Sequence, residues 1–214
     1  MKVLTSISLL LSLAACSTSP NLTKSTASES EAVSIFIVRH GETDQSQPAT
    51  LPLSNAGTQL AEVLAATMRD VPLTHLISSH TTRSRQMLDR MASSRGLPIA
   101  MLPAPGSLYQ GERVTDQTTR RAPIEPVSQA LLSLPPGSVA VAALNSENIY
   151  AVLNRLGIPV ARQGEQCMPK AWCLPCTDNG CYPRDQFDHL WHIVLDKSGG
   201  KPISFTQLRY GASK

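Results

Sequence analysis

The sequence predicts an α/β domain: a mostly parallel sheet with helices on both faces, arranged as three layers. Three observations carry this. Short apolar runs rich in β-branched residues alternate along the chain with longer segments whose apolar residues recur at helical spacing. The runs Ile35–Val38 and Val139–Leu144 have no polar alternation, the pattern of strands buried on both faces. The chain has 214 residues, 42% of them hydrophobic and 16% charged, a globular composition. A domain of about 150–180 residues buries roughly 70% of its unfolded surface, enough for a core without a metal.

Each element has its own reason. Residues 34–38 form the first strand. Residues 55–69 form a helix, with Ala56, Leu60, Val63, Leu64 and Met68 at helical spacing. A short strand at 73–77 precedes a helix at 81–94 that Arg95-Gly96 ends. Residues 98–102 read as a weak strand, and 125–134 as a helix stopped by Pro135-Pro136-Gly137. The strand at 139–144 leads into a helix at 147–156, capped by Gly157. Strands at 190–195 and 203–208 close the chain. No internal repeat is present.

The amino-terminal segment has a different character. Lys2 and a mostly apolar stretch from Val3 to Leu13 match a secretory signal, and the stretch is too short for a stable membrane-spanning helix. It ends in Leu13-Ala14-Ala15-Cys16, which resembles a bacterial lipobox. That resemblance implies a signal peptide at 1–15, a diacylglycerol on Cys16 and, with Ser17 following, an outer-membrane address facing the periplasm. Residues 17–32 are rich in Ser and Thr and read as a tether, so the folded domain is expected at 33–214. The formal charge of +3 and the absence of a basic run interleaved with aromatics argue against nucleic-acid binding.

The first strand runs into Arg39-His40-Gly41-Glu42-Thr43. In α/β sheets ligands bind beyond the carboxyl ends of the strands. A neutral imidazole held there can attack phosphorus when its other ring nitrogen is fixed by a hydrogen bond. The planar fork of Arg39 suits phosphate oxygens, and Gly41 allows the backbone to come close and donate its amides.

Phe36-Ile37-Val38-Arg39-His40-Gly41-Glu42-Thr43 resembles the opening motif of the histidine phosphatase, or phosphoglycerate-mutase-like, superfamily. Leu53-Ser54-Asn55-Ala56-Gly57 is similar to the segment that opens its first helix. Ile77-Ser78-Ser79-His80-Thr81-Thr82-Arg83-Ser84-Arg85-Gln86 is similar to its second signature. Phe187-Asp188-His189-Leu190-Trp191 and Leu208-Arg209-Tyr210-Gly211 resemble the ending of exported members, so the likeness spans 33–211. It implies a phosphoglycerate-mutase-like fold, a phosphohistidine at His40, and phosphate binding by Arg39 and Arg83 with Gly41 and Thr43 beside them. No cofactor or metal is expected, because the arginines supply the positive charge. His75, His80, His189 and His192 have no such setting and read as surface or strand residues.

The chain departs from the pattern in one place. Where the superfamily has a second histidine, counting back from Leu156-Gly157 reaches Asn145, with Leu144 the alternative if the register slips by one. Asparagine keeps a donor and loses the charge, which by analogy with one lost preorganised donor slows the reaction roughly 10²–10³-fold. For the proton donor to the leaving group, Glu112 is the best-placed carboxylate, although a loop glutamate is more often simply solvated. Asp116 and Glu147 are the fallbacks.

An insert at 163–186 holds Cys167, Cys173, Cys176 and Cys181. A thioredoxin-like motif at Cys173–Cys176 is poorly supported, since a turn rather than a helix follows. Four-thiolate zinc binding fits the spacing. Two structural disulfides are favoured for an exported chain, with three pairings open. The functional expectation is a phosphomonoester hydrolase acting on a phosphorylated small molecule or envelope component. Its rivals are a retired pseudophosphatase that binds an anionic ligand, and a structural lipoprotein.

Overall fold

The computed structural model describes residues 31–103, 108–109, 112–113, 125–162, 172, 174–176, 186–198 and 200–211. In chain order the elements are β1 (Ala32–Arg39), α1 (Asn55–Thr67), β2 (His75–Ser79), α2 (Thr82–Arg95), β3 (Ile99–Leu102), β4 (Leu108–Tyr109), β5 (Glu112–Arg113), α3 (Glu125–Leu132), β6 (Val139–Leu144), α4 (Ser146–Arg155), β7 (Val160–Arg162), β8 (Leu174–Cys176), β9 (His189–Asp196) and β10 (Lys201–Arg209).

Six strands form one sheet in the order β10-β9-β1-β6-β2-β3. The β1–β6, β6–β2 and β2–β3 pairs are parallel, while β9 and β10 form an antiparallel wing on β1. The expected α/β class therefore holds, with the sheet mixed at one edge. Only a few residues join β9 to β10, a connection that reverses the chain and leaves no room for a crossover between these two strands.

Alternation along β1 splits the core in two. Ile35 and Ile37 face Val127 and Leu131 of α3 and Ile149, Val152 and Leu153 of α4. Phe36 and Val38 face Leu64 of α1, Met68 at its C-cap, and Met87, Leu88 and Met91 of α2. The alanines of β6, Ala140, Ala142 and Ala143, are fully buried. Their small side chains let both helical layers approach the middle of the sheet. Trp191 fills the space under the wing and meets the edge of the Tyr150 ring at 6.2 Å between centroids.

Two expectations shift. The second strand lies at 75–79 rather than 73–77, because parallel pairing with β6 carries Ser78, and pairing with β3 carries Ser79, into the sheet as buried polar residues. The apolar run ends before the hydrogen-bonded ladder does. The short pairs β4–β5 and β7–β8 were not expected, since two or three residues carry no periodicity. The signal segment, Cys16 and the tether up to residue 30 lie outside the described residues, as do Cys167, Cys173, Cys181 and the side chain of Cys176; Ala32, read as the last tether residue, begins β1. Among the described residues, no helix is long and apolar enough to cross a membrane.

Candidate active site at the carboxyl ends of the central strands

The chain leaves β1 for the outer strands β2 and β3, then returns to lay β6 between β1 and β2. That return puts three strand ends side by side. Arg39 pairs with Leu144 and Ser78 with Ala143, so His40, Asn145 and Ser79-His80 emerge together. The backbone N–H of His40 donates to Leu144 O at 3.1 Å, extending the ladder by one bond. At the end of β6, Leu144 packs in the apolar core and Asn145 faces the polar end.

His40 is buried, and its Nδ1 lies 2.8 Å from the carbonyl oxygen of Gly41. A carbonyl can only accept, so Nδ1 carries the proton and Nε2 keeps its lone pair. The pKa of His40 is lowered to about 4, first by burial; the Gly41 carbonyl opposes this, and the nearby Arg83 and Arg39 cations lower it further. At neutral pH the ring is therefore an uncharged base or nucleophile set among cations.

Arg39 is also buried. Its Nη1 donates to Gln186 O at 3.0 Å, and its guanidinium lies 4.1 Å from the centre of the Phe187 ring. Arg83 sits in the first turn of α2, where its charge reaches His40. Gly41 also serves packing. Its N–H points to Met87 Sδ at 3.2 Å, and a Cβ there would stand 2.8 Å from Gly57 Cα. The glycine thus permits close packing of the motif on the start of α1, and its own amide is directed into α2. At Gly57 a Cβ would lie 2.2 Å from Glu42 O, so the glycine requirement is mutual. Ser54 caps α1 by accepting from Gly57 N at 3.1 Å. Thr43 bridges to Leu53, and its hydroxyl accepts from Gln45 at 2.6 Å.

Asn145 occupies a neutral pocket. Its Oδ1 is within reach of Ser79 Oγ at 3.4 Å, Thr81 Oγ1 at 3.2 Å and Ser84 Oγ at 3.2 Å. Thr81 also lies 3.0 Å from both serine hydroxyls. The hydroxyls supply one proton each, and the amide oxygen gives them an acceptor outside their own set. Asn145 is the N-cap of α4 and Thr81 the N-cap of α2, yet neither makes a side-chain capping bond. A missing cap costs about 1 kcal/mol. The two cap side chains meet each other instead, leaving two helix N-termini, a favourable setting for an anion, at one strand-end crevice.

Phe187, Gln186 and the hydroxyls of Ser79, Thr81 and Ser84 were not singled out by sequence reading. Ser84 left a trace: it heads the buried stripe Ser84, Met87, Leu88, Met91, where an apolar residue is the norm. Glu112 belongs to β5, opposite Tyr109. Its side chain, Asp116 and the side chain of Glu147 lie outside the described residues. His192 stacks on Phe36 at 4.2 Å and His189 on Trp191 at 5.4 Å.

Comparison with known proteins agrees with this arrangement. Residues 35–104 match the model of the histidine phosphatase superfamily (branch 1). The fold is similar to an Escherichia coli protein provisionally assigned as an alpha-ribazole-5'-P phosphatase, at 15% identity and a TM-score of 0.56, covering 84% of this chain and 100% of that one. It is similar to phosphoserine phosphatase from Entamoeba histolytica, solved with 3-phosphoglyceric acid, at 13% identity and a TM-score of 0.52, covering 83% and 98%. It is also similar to the protein histidine phosphatase SixA complexed with tungstate, at 19% identity and a TM-score of 0.50, covering 82% and 96%. No curated protein matches the chain in sequence. At these identities the structural likeness concerns the fold, which is phosphoglycerate-mutase-like.

Proposed function

We propose, from the premise that this is a histidine phosphatase superfamily chain, that it hydrolyses phosphomonoesters through a phosphohistidine at His40. The observation that carries the reading is the state of His40: buried, neutral, with Nδ1 bonded to Gly41 O and two arginine charges acting on it. Nε2 attacks phosphorus, the bond to the ester oxygen breaks, and the alcohol leaves with a proton. Water then attacks the phosphohistidine, forms a P–O bond and releases inorganic phosphate, returning the electron pair to Nε2. Arg39 and Arg83 hold the phosphate oxygens and offset the charge that the transferring group spreads over them. Glu112 is the proposed proton donor. Asn145 contributes an amide in place of a charged ring, so turnover is slow.

The neutral Asn145 pocket favours a second reading, a phosphate-binding protein without turnover. Phosphate release from a panel of phosphomonoesters separates the two. The first reading expects release that His40→Ala abolishes and Asn145→His raises by roughly 10²-fold. No release from either the parent or the Asn145→His chain would sink it.

We place the protein in the bacterial cell envelope, anchored through lipid on Cys16, with residues 16–32 as tether and 33–214 as the folded domain. The insert cysteines pair as two disulfides in that compartment, and the substrate is a phosphorylated small molecule or envelope component. The lipobox-like Leu13-Ala14-Ala15-Cys16 supports the anchor. Cys16→Ala should move the protein from the membrane to the soluble fraction; unchanged fractionation would remove the anchor from the scheme.

A further inference from the structure

We infer that Phe187 is a positioning residue for Arg39, and that residues 186–188 form a strap holding the phosphate-binding guanidinium in place. The inference rests on the phosphate site proposed above and adds to it a residue about 150 positions away in sequence from the motif it serves.

An arginine side chain has several rotatable bonds, and ordering one costs up to about 2 kcal/mol of rotamer freedom. A phosphate-binding arginine serves best when that ordering precedes the ligand. Arg39 is ordered by two consecutive strap residues acting in different ways. The Gln186 carbonyl accepts from Nη1 at 3.0 Å, which sets the rotation of the guanidinium plane. The Phe187 ring lies 4.1 Å from the guanidinium carbon, within the range where the negative face of the ring attracts a cation. The same ring is 6.5 Å from the His40 imidazole, tilted by 49°, so it borders the nucleophile as well.

The strap is held by contacts that do not involve Arg39. Tyr210 donates its backbone N–H to Asp188 O at 3.0 Å and its hydroxyl to Phe187 O at 3.3 Å. The buried Asp188 carboxylate pairs with Arg209 at 2.6 Å. At Gly211 a Cβ would stand 2.8 Å from Asp188 Cβ, so the backbone just after β10 packs directly on the strap. Arg209-Tyr210-Gly211 thus anchors 186–188, and 186–188 orients Arg39. This gives the two closing motifs of the chain a part in the site at its beginning.

The test uses the full chain and inorganic phosphate, titrated by calorimetry, so that no turnover is needed. Pentafluorophenylalanine in place of Phe187 keeps the ring's shape and reverses the charge of its face. Phe187→Leu removes the ring, and Phe187→Tyr keeps it. Phosphate affinity should fall about fivefold in the fluorinated and leucine chains and stay near the parent value in the tyrosine chain. The fluorinated chain should also keep the parent's unfolding temperature. Equal affinity in the parent and fluorinated chains would overturn the inference and leave Phe187 as packing alone. A parent chain that binds no phosphate would overturn the phosphate site, and this inference with it.

Discussion

The end of β1 and the end of β6 lie side by side in the same sheet, and they are built on opposite principles. At the end of β1, His40 is kept neutral first by its burial and then by the cations of Arg83 and Arg39 beside it. At the end of β6, Asn145 is equally buried, but among three hydroxyls, and its amide oxygen is their shared acceptor. The first environment prepares an electron pair beside positive charge. The second prepares a fixed dipole without charge. Burial alone therefore does not define a reactive residue; the groups that accompany it do. The resemblance to the superfamily leads one to expect charge at both strand ends; this chain has cations beside one and a neutral amide among hydroxyls at the other.

The largest expected effect breaks the β1 side. Deleting a nucleophile lowers turnover by roughly 10⁵–10⁶-fold, whereas deleting one neutral donor costs roughly 10²–10³-fold. His40→Ala and Asn145→Ala measured together on one phosphomonoester should show that gap. Equal losses would mean that the two residues act as one unit.

The next effect is on stability and concerns pH. The folded state holds the His40 pKa near 4, below its ordinary value of 6.5, so the unfolded chain binds the extra proton between these values. The contribution is fully present above pH 6.5 and is lost as pH falls toward 4. Its full size is ~3 kcal/mol at most. Denaturant midpoints measured across this window should fall more steeply in the parent than in His40→Ala. Parallel curves would show that the buried imidazole does not supply the slope.

A smaller effect sharpens the β6 side. Thr81→Val together with Ser84→Ala removes two of the three hydroxyls around Asn145 Oδ1. Leaving a buried acceptor under-satisfied costs about 1–3 kcal/mol, read as a lower unfolding midpoint. If the midpoint holds, water has replaced the hydroxyls and the pocket is more open than its burial suggests.

Local patterns were legible where the physics was local. The two-sided burial of β1 shows as Ile35-Phe36-Ile37-Val38, and the end of α2 as Arg95-Gly96, with Gly96 in the left-handed region at φ 64°. Arg39 and His40 could be named because they stand at the end of a recognisable strand, and Arg83 because its segment resembles the superfamily's second signature. Asn145 was reached by counting within one strand–helix unit. The second strand ran past its apolar residues because sheet pairing, which is non-local, pulled Ser78 and Ser79 inside. Gly41 was read for its backbone freedom, but which partner took its N–H depended on where Met87 of α2 came to rest.

The sequence by itself determined the α/β alternation, the strand that delivers His40, and the residue types able to hold a phosphate, since these follow from periodicity and side-chain chemistry over a few neighbouring positions. Only the tertiary structure decided what surrounds those residues. Three hydroxyls from the end of β2 and the start of α2 meet an asparagine from the end of β6, and a phenylalanine from before β9 covers an arginine of β1. Such contacts join segments about 60 to 150 positions apart. Their geometry is set by the register and order of the sheet strands, and no local pattern encodes that order.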